Sequence, residues 1–186
     1  MKTLIFGLGN IGPEYNQTRH NIGFEVLDAF AQKHASTFAL NKHAMVAEGR
    51  IKNKAFVLIK PTTFMNLSGK AVQYYLQQYK SNKEEILVVT DDLALDCCQL
   101  RIRLKGNHGG HNGLRNIQDT LQSGDYPRMR FGIGSQFNKH QQIDFVLGKW
   151  KAEEQAAVEV TIQKAVAAIE SFLLEGASKA MTQFNG

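Results

Sequence analysis

Residues 3–8, Thr-Leu-Ile-Phe-Gly-Leu, form a short apolar run that ends among glycines, the pattern of a buried strand. From Asn21 the apolar positions change to helical spacing: Ile22, Val26, Leu27, Phe30 and Ala31 share one face as far as Ala35. Residues 44–50 and 55–60 read as two strands joined by a turn at Lys52-Asn53-Lys54. Val72, Tyr75, Leu76 and Tyr79 mark a helix face, and Ser68 is placed to cap that helix. Residues 85–90, Glu-Ile-Leu-Val-Val-Thr, are apolar without alternation, as in a strand covered on both sides. Two alternating strands follow. Leu100, Ile102 and Leu104 oppose Arg101, Arg103 and Lys105, and Met129, Phe131 and Ile133 oppose Arg128 and Arg130. Between them Leu114, Ile117, Thr120 and Leu121 predict a short helix. From Lys151 to Glu175 a long amphipathic helix is predicted, with Val158, Ile162, Ala165, Ile169 and Phe172 inward.

Strands interleaved with helices predict an α/β layer fold. The hairpin-like pairs make the sheet mixed: a twisted β-sheet flanked by α-helices. No linker, repeat or low-complexity tract divides the chain, so residues 1–186 are expected to form a single domain. With 43% apolar and 21% charged residues, the composition excludes a disordered chain. Its 16 Gly against 3 Pro exclude a collagen-like one. No apolar run reaches the roughly 20 residues a membrane span needs. The first apolar run is too short for a signal-peptide core, and the two adjacent cysteines, Cys97 and Cys98, suit neither a structural disulfide nor a metal pair. A reducing cytoplasm is the expected location, without membrane contact. The formal charge of +5 permits an anionic partner such as RNA without requiring one.

Gly7-Leu8-Gly9-Asn10-Ile11-Gly12 matches a dinucleotide-binding pattern after a strand. That site needs a helix whose first amides meet the pyrophosphate. Here Pro13 to His20 follow, polar and without helical spacing, and no acidic strand end arrives about 20 residues later. The glycines instead read as a tight turn, with a polar Asn10 inside it.

Four more polar clusters fall at the ends of predicted elements: Thr18-Arg19-His20-Asn21, Pro61 to Gly69, Thr90-Asp91-Asp92, and Gly106 to Gly113. Ligands of open α/β sheets bind beyond the carboxyl ends of strands. These segments are therefore expected to gather one or two histidines, a carboxylate and three asparagines in a single cleft. Each residue alone has a structural alternative as cap, turn or surface group. His108-x-x-His111 has the look of a metal pair, but glycines separate the two and no third ligand stands out, so no metal is expected.

Residues 7–23, 60–69, 87–92 and 106–113, with Phe145-Val146-Leu147-Gly148 and the ending Ala180-Met181-Thr182-Gln183-Phe184-Asn185, resemble bacterial peptidyl-tRNA hydrolase along the whole chain. The resemblance implies a single α/β domain that needs no cofactor. The implied reaction is hydrolysis of the ester between a peptide and the 3′ ribose of tRNA, in the rescue of translation. The implied partner is peptidyl-tRNA, handled by a monomer. Catalytic positions map onto His20, Asp91, Asn10 and Asn66, and substrate-binding ones onto Tyr15, Asn10, Phe64, Asn66, His111 and Asn112. Arg103 and Arg130, with Arg101 beside them, are implied to grip tRNA phosphate.

The residue types suit that chemistry. An imidazole with a reference pKa of about 6.5 is a general base for water at neutral pH. A carboxylate can fix its tautomer, and asparagine amides can donate to a developing oxyanion. The sequence departs from the resemblance at Ile11 (usually Pro), Thr90 (usually His), Ala94 and Asp96 (a usual Leu-Asp-Leu-Pro run) and Ser135-Gln136 (a usual basic-Pro pair). Two other classes stay open: an RNA-binding adaptor without catalysis, and a metal-dependent hydrolase using Asp91, Asp92, His108 and His111.

Overall fold

A computed structural model describes all of residues 1–186. Seven strands run β1 (Lys2–Gly7), β2 (Ala39–Asn41), β3 (Ala44–Ile51), β4 (Lys54–Pro61), β5 (Ile86–Asp92), β6 (Leu100–Arg103) and β7 (Arg128–Gly132). Six helices accompany them: α1 (Ile22–Lys33), α2 (Ser68–Tyr79), α3 (Asn112–Leu121), α4 (Gln142–Val146), α5 (Ala152–Glu175) and α6 (Ala177–Phe184). The sheet order is β2-β3-β4-β1-β5-β7-β6. β4, β1, β5 and β7 are parallel neighbours, while β2, β3 and β6 join antiparallel at the edges. The expected single mixed α/β domain is therefore found.

The non-alternating strands are central because they must satisfy both faces at once. Leu4 and Phe6 of β1, with Val88 of β5, pack under α2 and α3; Ile5, Leu87 and Val89 pack under α1 and α5. Burying each such side chain contributes about 1.5–3 kcal/mol of apolar transfer, so covering only one face would forgo much of it. α1 sits closely on the end of β1 because both contact points lack side chains. A Cβ on Gly7 would collide with the Gly23 carbonyl, and one on Gly23 would collide with Leu8.

β6 and β7 pair as Leu100–Phe131, Arg101–Arg130, Ile102–Met129 and Arg103–Arg128. The predicted alternation holds, with Leu100, Ile102, Met129 and Phe131 in the larger core. Three details differ. Leu104 lies beyond β6 and is 48% exposed, because the ladder ends at Arg103. Ser68 is the first residue of α2 rather than its cap, and its hydroxyl donates back to the Met65 carbonyl. Arg128 is not on an open basic face: it is 2% exposed, and its guanidinium donates to the carbonyls of Gly124, Tyr126 and Asn107. The loops on either side of α3 cover it.

The open edge of β6 is closed by the chain's end. Asn185 accepts from the Ile102 amide and donates to its carbonyl, as a neighbouring strand would.

Candidate active site

The carboxyl ends of β1, β4 and β5 point to one side of the sheet, and the polar clusters lie there. The Gly7–Gly12 loop leads into a 3-10 turn at Pro13–Tyr15, not into an α-helix. The chain then makes a second 3-10 turn, Arg19–Asn21, ahead of α1. The amide array a dinucleotide would need is absent, in accord with the turn reading.

His20 projects from the second turn and Asp91 from the end of β5. His20 Nδ1 lies 2.9 Å from Asp91 Oδ2. The other carboxylate oxygen, Oδ1, is 2.8 Å from His111 Nε2. The two rings are 4.9 Å apart, centroid to centroid. Asp91 is 2% exposed, so its two lone-pair edges depend on these N–H donors.

The partners assign both tautomers. His111 Nδ1 accepts from the amides of Gly113 and Leu114, at 3.1 and 3.2 Å, and so caps α3. A ring nitrogen that accepts carries no proton, so the His111 proton sits on Nε2 and goes to Asp91. Thr90 Oγ1, 2.9 Å from the same nitrogen, donates onward to the Asp91 carbonyl and so can accept as well. On His20, Nδ1 donates to Asp91, and Nε2 keeps its lone pair with no protein partner.

Burial works against a charged His20, yet the Asp91 charge and hydrogen bond outweigh it and raise the His20 pKa above its ordinary value. Burial pushes Asp91 up, but the charges and hydrogen bonds of His20 and His111 hold it well below the usual carboxylate range. Asp91 is thus an ionised acceptor between two imidazoles.

The donor atoms of His20, Asp91 and His111 lie within 4.8 Å of one another, close enough to surround a cation. Their hydrogen bonding argues against that use. A metal needs lone pairs, and both ring nitrogens facing the carboxylate carry protons. Freeing His111 Nε2 would protonate Nδ1 and break the cap. His108 is outside this group, accepting instead from the Gly110 amide, and Asp92 binds Arg130.

Asn10 is 8% exposed; its Oδ1 accepts from the Met65 amide at 2.7 Å. Asn21, a motif residue given no role from sequence, bonds both the amide and the carbonyl of Asn10. Asn21 thereby locks the glycine loop to the turn that carries His20. Asn66 lies in the 3-10 turn Met65–Leu67, exposed and without a protein partner. Phe64, before it, is 55% exposed. Tyr15 is half-buried at the end of the first 3-10 turn. Asn112 opens α3 beside His111, exposed.

These residues do not share a single cleft. A cavity of about 590 Å³ takes in His20, Asp91, His111 and Asn112, and runs on to Arg103, Lys105 and Arg130. Asn10 instead lines a separate hollow of about 160 Å³ with Phe24, Met45 and Lys60. The larger cavity is bounded by the start of α3, through Asn112 and Leu114, and by the arginine-bearing face of β6 and β7. Arg103 is exposed there, and Arg101 is half-buried outside the cavity. Arg130 is held through Nε by Asp92, which leaves its two terminal nitrogens for a ligand. α4 contributes Gln142, Ile143 and Val146 to the lining.

The family profile of peptidyl-tRNA hydrolase matches residues 4–186. The chain is 53% identical over 185 residues to the peptidyl-tRNA hydrolase of Cytophaga hutchinsonii, covering 100% of this chain and 98% of that one. It is 46% identical over 185 residues to that of Porphyromonas gingivalis, covering 100% of both. Its structure superimposes on the crystal structure of peptidyl-tRNA hydrolase from Acinetobacter baumannii with a TM-score of 0.94 at 35% identity, over 100% of this chain and 95% of that one. No helix of this chain is long and apolar enough to cross a membrane.

Proposed function

The chain belongs to the peptidyl-tRNA hydrolase family, an enzyme family whose reaction is hydrolysis of peptidyl-tRNA, and from that premise we propose that His20 acts as general base on a water that attacks the ester directly. The observation that carries this reading is the His20–Asp91–His111 chain. It leaves His20 Nε2 as an unpartnered lone pair on a ring fixed at its other nitrogen. A water within hydrogen-bond reach of Nε2 would surrender its proton as its oxygen attacks the carbonyl carbon. Asp91, ionised and buried, then stabilises the imidazolium. The proton passes to the departing ribose 3′ oxygen as the tetrahedral species collapses. Its oxyanion would be met by the free amide of Asn66, while Asn10 and Asn112 orient peptide and water. No serine or cysteine nucleophile takes part, since an ester carbonyl is reactive enough for water.

The reading is metal-free, because the histidine protons that hold Asp91 would have to leave before a cation could bind. The cavity that starts at His20 and ends among Arg103 and Arg130 would seat the tRNA end, with phosphate on the guanidinium groups. The reading places the enzyme in the cytoplasm, as a monomer that rescues tRNA from peptidyl-tRNA shed during translation.

The test is turnover of purified N-acyl-aminoacyl-tRNA, with free-amine aminoacyl-tRNA as control, before and after exhaustive chelation. Turnover that survives chelation and is lost in a folded His20→Ala protein supports the reading. Turnover abolished by chelation and restored by a divalent metal would replace it with metal-assisted hydrolysis. Binding without turnover would make the chain an adaptor.

A further inference from the structure

Arg19 precedes the proposed base and points away from it, yet it is among the most buried charged residues of the chain, at 4% exposure. Its guanidinium gives Nη1 to the carbonyls of Phe145 and Lys149, at 3.3 and 3.0 Å, and Nη2 to the Glu154 carboxylate at 2.9 Å. Its faces lie 4.3 Å from the Phe145 ring centroid and 5.3 Å from that of Trp150. The backbone repeats the link: the Arg19 amide donates to the Gly148 carbonyl, and Thr18 bridges to Lys149. Every one of these partners lies between residues 145 and 154, the stretch from the end of α4 to the first turn of α5.

That segment carries the cavity wall. α4 is five residues long, too short to hold itself in water, and none of its residues is fully buried. Its Gln142, Ile143 and Val146 nevertheless line the cavity that Arg103 and Arg130 also line. Only Phe145 and Val146 of α4 pack on the larger core, both from half-buried positions, so the hydrogen-bonded tie adds to a thin contact. The rigid turn at Arg19–Asn21 is fixed from the other side through Asn21 and Asn10.

We propose that Arg19 is a positioning residue for the reaction: its guanidinium ties α4 to the turn bearing His20, and the RNA-side cleft keeps its width while that tie holds. The fork is needed, because it meets two carbonyls and a carboxylate at once while lying against the Phe145 and Trp150 rings. A lysine there could keep the Glu154 ion pair alone. The inference rests on the hydrolase reading for the identity of the ligand, but its binding readout does not require turnover.

The experiment compares wild type with Arg19→Lys, Arg19→Ala and Glu154→Gln. Deacylated tRNA serves as binding probe and N-acyl-aminoacyl-tRNA as substrate. The chain has one tryptophan, so Trp150 emission reports the tie directly. Expected for Arg19→Ala is weaker tRNA binding and a KM raised on the order of tenfold or more, with kcat held within about threefold. Trp150 emission should shift, and the acid limb of the pH profile should stay in place. Arg19→Lys should recover part of the affinity, and Glu154→Gln should lose a smaller part. If Arg19→Ala does not fold, Arg19→Lys and Glu154→Gln carry the test. Unchanged tRNA affinity in folded variants with shifted emission would overturn the proposal, since the tie would then be structural only. A fall in kcat with KM and affinity unchanged would also overturn it, by showing that Arg19 acts on His20 and not on the wall.

Discussion

His111 donates from Nε2 to Asp91 Oδ1 at 2.8 Å while its Nδ1 receives the first free amides of α3, so one ring both caps a helix and holds an edge of the buried carboxylate. Its two nitrogens are committed in opposite senses, one donating and one accepting, whereas His20 is bonded through Nδ1 alone.

Replacing His111 by Ala should therefore act on stability and on the base together. Losing the cap costs about 1 kcal/mol, and leaving Asp91 Oδ1 short of a donor costs about 1–3 kcal/mol more. Urea denaturation should show the sum. With that donor gone the carboxylate draws more strongly on the His20 proton, so the acid limb of kcat/KM should move to higher pH. An unmoved limb would mean that His111 has no electrostatic hold on the pair.

Asp91→Asn should move the same limb the other way. The carboxylate charge is what raises the His20 pKa against burial, so its removal lets that pKa fall. Turnover should drop as well, by on the order of 10²–10⁴. An amide cannot accept from two N–H groups with both of its ends, so the NH₂ must face one imidazole, and facing His20 it would force the proton onto Nε2. In wild type, activity should rise through a pKa above 6.5. The stability contribution of the pair has the opposite sense. A raised histidine pKa means that the protonated pair contributes fully below the unfolded value and is lost as pH climbs through the folded one. A rate profile and a denaturation series across that window check both signs.

Much of this site stands in the sequence as separate pieces, and what is missing is how they join. The non-alternating runs of β1 and β5 require cover on both faces, which places Asp91 at the end of a central strand. The alternation of β6 and β7 puts four arginines on one face, as found. Alternation cannot say what lies over that face, so Arg128 reads like Arg130 although a loop buries it. β2 has three exposed residues, and α4 has five with no buried one, so neither leaves a periodic signal. The bonds of His111 to Asp91 and of Asn21 to Asn10 join residues from different elements, which periodicity does not register. Only their repeated pairing with glycine and asparagine hinted at backbone roles.

Asn66 and Asn10 should separate in kinetics although both are amides that the proposed reaction uses. Asn66 has no protein partner, and its truncation to Ala should leave the melting temperature nearly unchanged. It should lower kcat by on the order of 10²–10³, the worth of an oxyanion donor. Asn10 is already committed to the Met65 amide, so Asn10→Ala should also destabilise the protein, by about 1 kcal/mol. If Asn66→Ala raised KM alone, it would be a ground-state contact and the oxyanion role would fall.

Arg103 and Arg128 face each other across the β6–β7 ladder, yet they should respond to truncation in opposite ways. Arg128 satisfies three carbonyls from a fully buried position. Arg128→Ala leaves those acceptors unmet and a cavity beside Tyr126, so it should cost about 3–5 kcal/mol, as breaking a buried charged network does. Arg103 is exposed at the cavity edge and makes no bond within the protein, so Arg103→Ala should leave the fold intact. Its loss should appear in RNA binding. Each phosphate contact contributes about 0.7–0.9 to the slope of log affinity against log salt, through the counterions it releases. Arg103→Ala should flatten that slope by about one contact, and raise KM for full tRNA substrates while kcat is nearly preserved. Arg130→Ala should flatten it too, with an added effect from Asp92, which loses its partner and presents an unneutralised carboxylate to the cavity. Neutralising Asp92 as well, in the double variant Arg130→Ala with Asp92→Asn, should return affinity toward that of Arg103→Ala. Measuring affinity for deacylated tRNA across a salt series in these variants decides the point. A slope unchanged in Arg103→Ala would show that this face is merely solvated and that the RNA is held elsewhere.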